Sequence, residues 1–289
     1  MFKKKILVYS DGEWSIGRIN KSIEKWTNNE YEFTFYDWAK YNTNTILSII
    51  DNYDIILTNL CCIDIFKNYN ICLKKFIFSC HGYPELIKLK NFEYPKDTTY
   101  TITSEVIREL FPKDLNLLFT PSGIEPINFN FVQRSGEIKK IGWCGGLNVP
   151  SKRVHWTKII ANLTNLEYEI QSKLSYDEIK NWYNTIDILL VNAGPESWNE
   201  TGPLPPFEAV VSGVLVIGTH VGNFLKISGP KYNTVEEAII IINELKKHPE
   251  QVLNLMKIQY DYVMNNWTYE NSIHMWKNAF TSSLKMSLS

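Results

Sequence analysis

The sequence predicts an α/β protein made of two consecutive domains, each built on a parallel sheet. Strand-like and helix-like segments alternate along almost the whole chain, which is typical of βαβ units. A polar stretch at 133–137 interrupts the alternation, which then begins again without a long-period repeat. Each half opens with an apolar strand, a glycine-bearing loop and a helix, as doubly wound domains do. We therefore expect two Rossmann-like halves that face each other across a cleft.

The first half contains short apolar or β-branched runs that predict parallel strands. These runs lie at 4–9, 31–36, 54–58, 75–79, 99–103 and 117–120. Helices are expected at 18–26, 45–52 and 104–110. The loop before the first helix ends at Gly17 and lacks the G-x-G-x-x-G pattern, which gives dinucleotide binding little support.

The second half repeats this organisation after the polar stretch. Strands are expected at 139–143, 168–170, 187–191 and 214–217, and helices at 155–163, 175–185, 209–212, 235–245, 249–265 and 269–284. The predicted domains are 1–133 and 138–266. We expect the C-terminal helix, within 267–289, to pack back toward the N-terminal domain.

Composition limits the class of protein. The chain has 289 residues, of which 44% are hydrophobic, enough for two domains of ordinary size. Lysine and arginine number 30 against 31 acidic residues, and this near-zero net charge argues against a nucleic-acid-binding protein. No stretch approaches the ~18 consecutive apolar residues of a transmembrane helix.

The N-terminus and the cysteines indicate a cytoplasmic protein. Only a four-residue apolar run follows the basic residues near Met1, so we expect a first strand there and not a signal peptide. The five cysteines are an odd number and are interpreted as reduced thiols. Neither C-x-x-C nor a Cys/His cluster is present, so we expect no metal site.

Two carboxylates, Glu200 and Glu208, stand eight positions apart with one glycine and three prolines between them. The prolines and the glycine predict a loop, which a short helix and then a buried strand follow. Glu200 is expected on this loop and Glu208 near the helix start, where backbone N–H groups are free to bind an anion. Carboxylates accept hydrogen bonds from hydroxyls, and amides bind phosphate oxygens, so the stretch suits a ligand that carries both.

This stretch resembles the E-x7-E signature of retaining glycosyltransferases with the GT-B fold, of the family 4 type. Gly202 supplies the glycine of the loop between the two acids, while Thr201, Pro203 and Leu215 depart from the usual pattern. The positions that carry the resemblance are Glu200, Leu204, Pro205, Glu208, Ala209, Gly213, Val216 and Ile217. It covers nearly the whole chain, from Gly17 to the final helices, and is strongest between 187 and 219.

The resemblance implies a role for each residue of the stretch. Glu208 would bind the ribose hydroxyls of a nucleotide-sugar, and Glu200 would hold the hydroxyls of the transferred sugar near its anomeric carbon. Backbone amides of Thr201, Gly202 and Leu204 would stabilise the departing diphosphate. The alternative is a turn that joins a strand to a helix and carries two unrelated surface acids.

A second glycine-rich loop, at 144–153, resembles the family's G-R-x5-K-G run, whose two cations neutralise the diphosphate. Gly145 stands directly before the arginine position, and Lys152 matches the family's lysine, whereas Gly146 stands where the arginine belongs. Arg153 is adjacent and could replace that arginine, but neighbouring residues need not point the same way. The alternative is a solvated Lys-Arg pair at a helix start.

Two residues of the first half complete the expected site. His81 follows a strand end, where similar enzymes carry a histidine that faces the donor sugar, although a capping or core histidine is the alternative. Gly17 matches a position where the family's backbone approaches the donor phosphate or the acceptor, and a tight turn explains it equally well. No Asp-x-Asp occurs, and this absence favours a metal-independent GT-B enzyme over a metal-dependent GT-A one.

The resemblance thus implies a retaining hexosyltransferase-like enzyme that needs no cofactor. Its donor substrate would be a nucleotide-diphosphate sugar bound by 138–266, with 1–133 on the acceptor side. The acceptor would be a glycan, a lipid-linked or a small molecule, in glycan or surface polysaccharide synthesis, with room for peripheral membrane contact. Two alternatives stay open. One is a nucleotide-sugar epimerase on the same fold, and the other is an inactive nucleotide-sugar-binding domain, which the missing arginine at Gly146 favours.

Overall fold

The computed structural model describes residues 2–12, 15–69, 71–82, 92–194 and 201–288. The chain forms two compact units. The first contains Met1–Gly123 together with Tyr269–Ser289, and the second contains Ile124–Thr268. The division between them falls upstream of the polar stretch 133–137.

The first unit is built on a six-stranded sheet in the order β2-β1-β3-β4-β5-β6, in which every neighbouring pair is parallel. Its strands are β1 (Lys4–Ser10), β2 (Tyr31–Asp37), β3 (Ile55–Asn59), β4 (Phe76–Cys80), β5 (Thr99–Ile102) and β6 (Asn116–Phe119). The central strands β3, β4 and β5 are buried along their whole length, as strands covered on both faces must be.

The second unit is built on a four-stranded sheet in the order β10-β9-β7-β8, again parallel throughout. Its strands are β7 (Lys140–Cys144), β8 (Glu167–Gln171), β9 (Ile188–Val191) and β10 (Leu215–Gly218). The chain runs from β7 to β8 on one side and then crosses to β9 on the other side. The prediction of an α/β fold with parallel sheets is confirmed.

Helices connect the strands of both units. They are α1 (Ser15–Thr27), α2 (Thr43–Leu47), α3 (Ile63–Asn68), α4 (Val154–Thr164), α5 (Tyr176–Tyr183), α6 (Pro205–Val211), α7 (Val235–Lys247), α8 (Pro249–Asn266) and α9 (Tyr269–Leu288). Within the described ranges, no helix is both long enough and apolar enough to cross a membrane.

The last helix, α9, belongs to the first unit and packs on its sheet. The Trp276 side chain is fully buried, and its indole Nε1 donates to the Pro121 carbonyl at 3.2 Å. The Phe280 ring packs against Tyr31 and Phe33 of β2, with centroid distances of 4.9 and 6.1 Å. The expected packing of the C-terminal helix against the N-terminal half is therefore observed.

Helix α6 corrects the expectation that the prolines after Glu200 exclude a regular helix before residue 209. The helix begins at Pro205, so that Pro205 and Pro206 occupy its first two positions. Proline is tolerated there because the first N–H groups of a helix have no intrahelical acceptor. Two other segments differ from the α-helices that the sequence predicts. The segment 104–110 forms a 3₁₀ helix at Glu105–Leu110, and 45–52 is divided into an α-helix that ends at Leu47 and a 3₁₀ turn at Ile50–Asn52.

A buried glutamine of α8 covers the edge strand of the second sheet. Gln259 is 0% exposed, and its Oε1 accepts from the Val216 N–H at 2.9 Å. Its Nε2 donates to the carbonyls of Val216 at 2.7 Å and Ser228 at 2.8 Å. The side chain thereby pairs with β10 as a neighbouring strand would, and it satisfies the outward-facing N–H and C=O of Val216 at this edge of the sheet.

The Gln259→Met substitution should destabilise the protein, because it leaves the N–H and C=O of Val216 buried without this partner. Each unsatisfied buried group costs about 1–3 kcal/mol, so we expect the free energy of unfolding to fall by at least about 2 kcal/mol. Urea denaturation measures the change. Gln251→Met, on an exposed position of the same helix, should stay within about 0.5 kcal/mol of wild type. Equal stability of the two variants would contradict this role for Gln259.

Candidate functional site

The second sheet has a point at which its strand order reverses, between β7 and β9. Open α/β sheets bind ligands outside the carboxyl ends of their strands at such a point. A pocket of about 40 Å³ lies there. Its walls are Trp143, Cys144, Lys152, Leu189, Leu190, Val191, Asn192, Ala193, Pro203, Pro205 and Pro206. Whole ligand pockets enclose about 300–1,000 Å³, so this pocket accommodates only part of a larger ligand.

The glycine-rich loop after β7 brings Lys152 to this pocket. Gly145 has φ +153°, and its N–H donates to the Gln171 carbonyl at 3.1 Å. A Cβ on Gly145 would lie 3.2 Å from the Trp143 ring and 3.4 Å from Lys152 Cδ. Both the backbone angle and this close packing favour glycine. The loop therefore holds the aliphatic part of Lys152 against the end of β7, in the pocket wall.

Arg153 is directed differently from Lys152. It has φ 42° and ψ 43°, a left-handed conformation that separates the 3₁₀ turn Pro150–Lys152 from α4. Its guanidinium lies over the Trp156 ring, 4.6 Å from the centroid, and Arg153 is not part of the pocket wall. At Gly146, a Cβ would meet only Val149 Cγ2 at 3.3 Å, so packing does not require glycine where the family has arginine.

Buried hydrogen bonds hold the chain that follows β9. Asn192 is 1% exposed, its Nδ2 donates to Thr157 Oγ1 at 2.9 Å, and its Oδ1 accepts from the Tyr232 hydroxyl. The Ala193 N–H donates to Thr219 Oγ1 at 3.0 Å, and the Gly194 N–H donates to the Ser151 carbonyl at 2.9 Å. These contacts join the loops after β7, β9 and β10. Sequence reasoning did not find Asn192 or Tyr232, whose pairing across 40 positions leaves no local pattern.

Glu208 lies in the first turn of α6 with its carboxylate buried. The residue is 3% exposed, and its Oε2 accepts from the Tyr183 hydroxyl at 2.9 Å. The same hydroxyl lies 3.7 Å from Cys144 Sγ, at the end of β7. Burial raises the pKa of Tyr183 well above its ordinary value, so this hydroxyl keeps its proton. Tyr183 was not predicted from the sequence as a site residue.

The segment 201–204 leads into α6 and supplies part of the pocket wall. Thr201 is buried, and its carbonyl accepts from the Asn223 N–H at 2.8 Å. Within the described ranges, the backbone N–H groups of Gly202 and Leu204 donate to no acceptor. The first turn of α6 itself offers fewer N–H groups for an anion than expected. The N–H groups of Phe207 and Glu208 both donate to the Leu204 carbonyl, and the two preceding prolines have no N–H. Amides that could bind an anion therefore precede the helix.

The remaining predicted residues lie elsewhere. Glu200 falls outside the described residues. His81 and Gly17 belong to the first unit, where His81 directly follows β4. Desolvation lowers the pKa of His81 to about 4, so its imidazole is neutral at neutral pH. Gly17 lies in the first turn of α1, and a Cβ there would come within 2.7 Å of the Asp11 carbonyl oxygen.

In the part of the chain that the structure describes, no group of three or more His, Cys, Asp and Glu residues is arranged to hold a metal ion.

Solved structures share this fold over nearly the full chain. Sucrose-phosphate synthase from Thermosynechococcus elongatus matches with a TM-score of 0.75 and 10% identity, over 99% of this chain and 100% of that one. HepE from Anabaena, solved with UDP and glucose, also matches with a TM-score of 0.75 and 10% identity, over 96% and 100%. AviGT4, a glycosyltransferase involved in avilamycin A biosynthesis, matches with a TM-score of 0.67 and 12% identity, over 98% of each chain.

No protein-family model and no curated protein matches the sequence. Because identities of 10–12% establish only architecture, these likenesses show the fold alone. The chain has an α/β fold that matches GT-B glycosyltransferase structures.

The neutral state of His81 predicts a pH dependence of stability. Its pKa is about 4 in the folded chain and about 6.5 when exposed, so the unfolded chain binds the proton first as pH falls. The stability that His81 contributes is complete above pH 6.5 and is lost toward pH 4. Between pH 7 and pH 5 the free energy of unfolding should fall by about 2 kcal/mol more in the wild type than in His81→Gln.

Urea denaturation at the two pH values measures this difference. His274→Gln removes an exposed histidine of the first unit, so it should keep the pH dependence of the wild type. Parallel pH profiles for wild type and His81→Gln would contradict the lowered pKa.

Proposed function

We propose that this chain is a retaining glycosyltransferase that transfers a sugar from a nucleoside-diphosphate sugar to an acceptor. One observation carries the proposal. A cation, Lys152, and a glycine with a positive φ angle, Gly145, meet at the reversal point of the second sheet. Similar structures have been solved with UDP, with UDP and glucose, and with UDP-glucose. The ammonium group of a lysine and the backbone N–H groups of a loop together bind the oxygens of a diphosphate.

Lys152 and the nearby amides would stabilise the leaving group. As the glycosidic bond to the diphosphate breaks, negative charge develops on the phosphate oxygens. A fixed cation and fixed N–H donors stabilise that charge without reorganising during the reaction. The backbone N–H groups of Gly202 and Leu204 are available for this role within the described chain. With Lys152 in the pocket wall and Arg153 stacked on Trp156, we assign the main charge to Lys152.

The two acids would bind the sugars of the donor. Glu208 would accept hydrogen bonds from the ribose hydroxyls, and Glu200 would hold the transferred sugar next to its anomeric carbon. The mechanism would be attack on the face that the diphosphate leaves, with the leaving phosphate accepting the acceptor's proton and no protein nucleophile. If Glu200→Gln bound UDP normally and retained near wild-type turnover, Glu200 would have no catalytic role.

His81 would contribute a hydrogen bond to the donor sugar and no charge, because its imidazole is neutral at neutral pH.

We propose that turnover needs no divalent metal, because Lys152 and the amides supply the stabilisation that a metal gives elsewhere. Full loss of turnover in EDTA, restored by manganese, would contradict this. The acceptor would be a glycan, a lipid-linked or a small molecule, and the reaction would belong to glycan or surface polysaccharide synthesis in the cytoplasm.

A nucleotide-sugar-binding domain without catalysis is the second candidate function. Gly146 favours it, because the loop carries no arginine at that position and one cation stabilises a leaving diphosphate less than two. Release of free nucleoside diphosphate only when an acceptor is present would establish a transferase. Donor binding without turnover over a broad acceptor panel would support the binding domain, and acceptor-independent conversion of the donor would indicate an epimerase.

Two matched substitutions test the phosphate site. Lys152→Met should weaken binding of UDP-sugars and of UDP about tenfold to a hundredfold, since a hydrogen bond to a charged group contributes about 1.5–3 kcal/mol. Arg153→Met, one position away, should weaken it less than about threefold, because its guanidinium is stacked on Trp156. Isothermal titration calorimetry measures both affinities.

If Arg153→Met weakened nucleotide binding more than Lys152→Met, Arg153 would be the phosphate ligand. If neither substitution changed the affinity of a nucleotide that binds the wild type, the diphosphate would lie outside this pocket.

A further inference from the structure

The buried tyrosine beside Glu208 has no role in the function proposed above. Tyr183 is the last residue of α5 and is 0% exposed. Its ring packs against Trp182 and Phe129, with centroid distances of 5.3 and 6.4 Å. Its hydroxyl is directed at Glu208 Oε2, 2.9 Å away. A buried O–H group that donates to a buried carboxylate fixes the direction in which the remaining carboxylate lone pairs point.

A single arginine holds the two helices that carry these side chains. Arg134 Nη2 donates to the Tyr183 carbonyl at 3.0 Å, and Nη1 donates to the Asn184 carbonyl at 3.2 Å, both at the end of α5. Its Nε donates to the Gly213 carbonyl at 3.3 Å, just beyond the end of α6. The guanidinium thus satisfies the carbonyl groups that helix ends leave open, and its charge suits their partial negative charge. This Arg134 clamp therefore links the end of α5, where Tyr183 lies, to the end of α6, the helix that carries Glu208.

The contact also connects Glu208 to the pocket wall. The Tyr183 hydroxyl lies between Glu208 Oε2 and Cys144 Sγ, with distances of 2.9 and 3.7 Å, and Cys144 lines the pocket. A carboxylate offers about four acceptor positions, and the bond from Tyr183 occupies one of them, so this hydroxyl alone does not saturate Glu208. Because the Tyr183 ring packs against Trp182 and Phe129, its hydroxyl is held in place and restricts the orientation of the Glu208 carboxylate.

We propose that Tyr183 is a positioning residue that orients the Glu208 carboxylate toward the two ribose hydroxyls, and so makes the site selective for ribonucleotides. This inference rests on the proposed function, in which Glu208 binds the ribose of the donor. Tyr183 does not touch the substrate and acts through Glu208. Removal of the Tyr183 hydroxyl should therefore abolish the preference for ribonucleotides over dideoxynucleotides. The contacts to base and diphosphate should stay unchanged.

Calorimetry with UDP, GDP and ADP, each paired with its 2′,3′-dideoxy analogue, tests the inference. The wild type should prefer the ribonucleotide at least about tenfold, as expected for hydrogen bonds to a charged group. In Tyr183→Phe the preference should fall below about threefold, with the affinity for the dideoxy analogue unchanged. Adding Tyr183→Phe to Glu208→Gln should cause no further loss, because both substitutions remove the same interaction.

Tyr100→Phe is the matched control. Tyr100 is fully buried in the first unit, and its hydroxyl donates to the Pro95 carbonyl at 3.0 Å. It should keep the ribose preference while losing the hydrogen bond of a buried tyrosine, here to a backbone carbonyl far from Glu208. If Tyr183→Phe does not fold, Arg134→Lys weakens the clamp from outside the contact and should reduce the same preference.

The outcomes separate the two proposals. If the wild type prefers ribonucleotides and Tyr183→Phe keeps that preference, the inference is overturned and the proposed function stands. Equal weakening of the ribonucleotide and its dideoxy analogue would also overturn it, by showing a merely structural role. If the wild type binds none of these nucleotides, the proposed function fails and the inference fails with it.

Discussion

Parallel pairing within each sheet is the constraint on which the rest of the structure depends. Because all strands of a parallel sheet run in one direction, their carboxyl ends meet at one edge, and both faces must be covered by helices. In the second unit β8 and β9 lie on opposite sides of β7, so the connections after β7 and β9 diverge and leave room between them. The pocket with Lys152 occupies that place. The position of the candidate site therefore follows from strand order.

Side chains distant in sequence keep the loops at this edge in place. Asn192 links the end of β9 to Thr157 of α4 and to Tyr232, and Arg134 joins the ends of α5 and α6. Asn192 is buried and Arg134 is partly buried, and their hydrogen bonds compensate for the loss of hydration. Loops fixed in this way can present amides and a cation in a constant arrangement, which electrostatic stabilisation of a leaving group requires.

The sequence was informative where a local pattern has a single structural meaning. The apolar run at 214–217 predicted a buried strand, and β10 is found at Leu215–Gly218. Proline was misleading before Glu208, because its effect depends on position, and the first turn of a helix accepts it. Tyr183 was missed because it lies 25 positions from Glu208 on another helix, and only the packed structure brings them together. The role of Glu200 stays a prediction based on the resemblance.

Hydrogen exchange of the full chain, with and without nucleotide-sugars, tests most directly whether the second sheet's reversal point is the donor site. A ligand that binds only the folded state slows exchange in the segments it contacts and stabilises. With UDP-glucose, or with a GDP- or ADP-sugar that binds instead, exchange should slow most in peptides covering 142–153 and 189–204. Binding that leaves exchange in both of these segments unchanged would contradict this account.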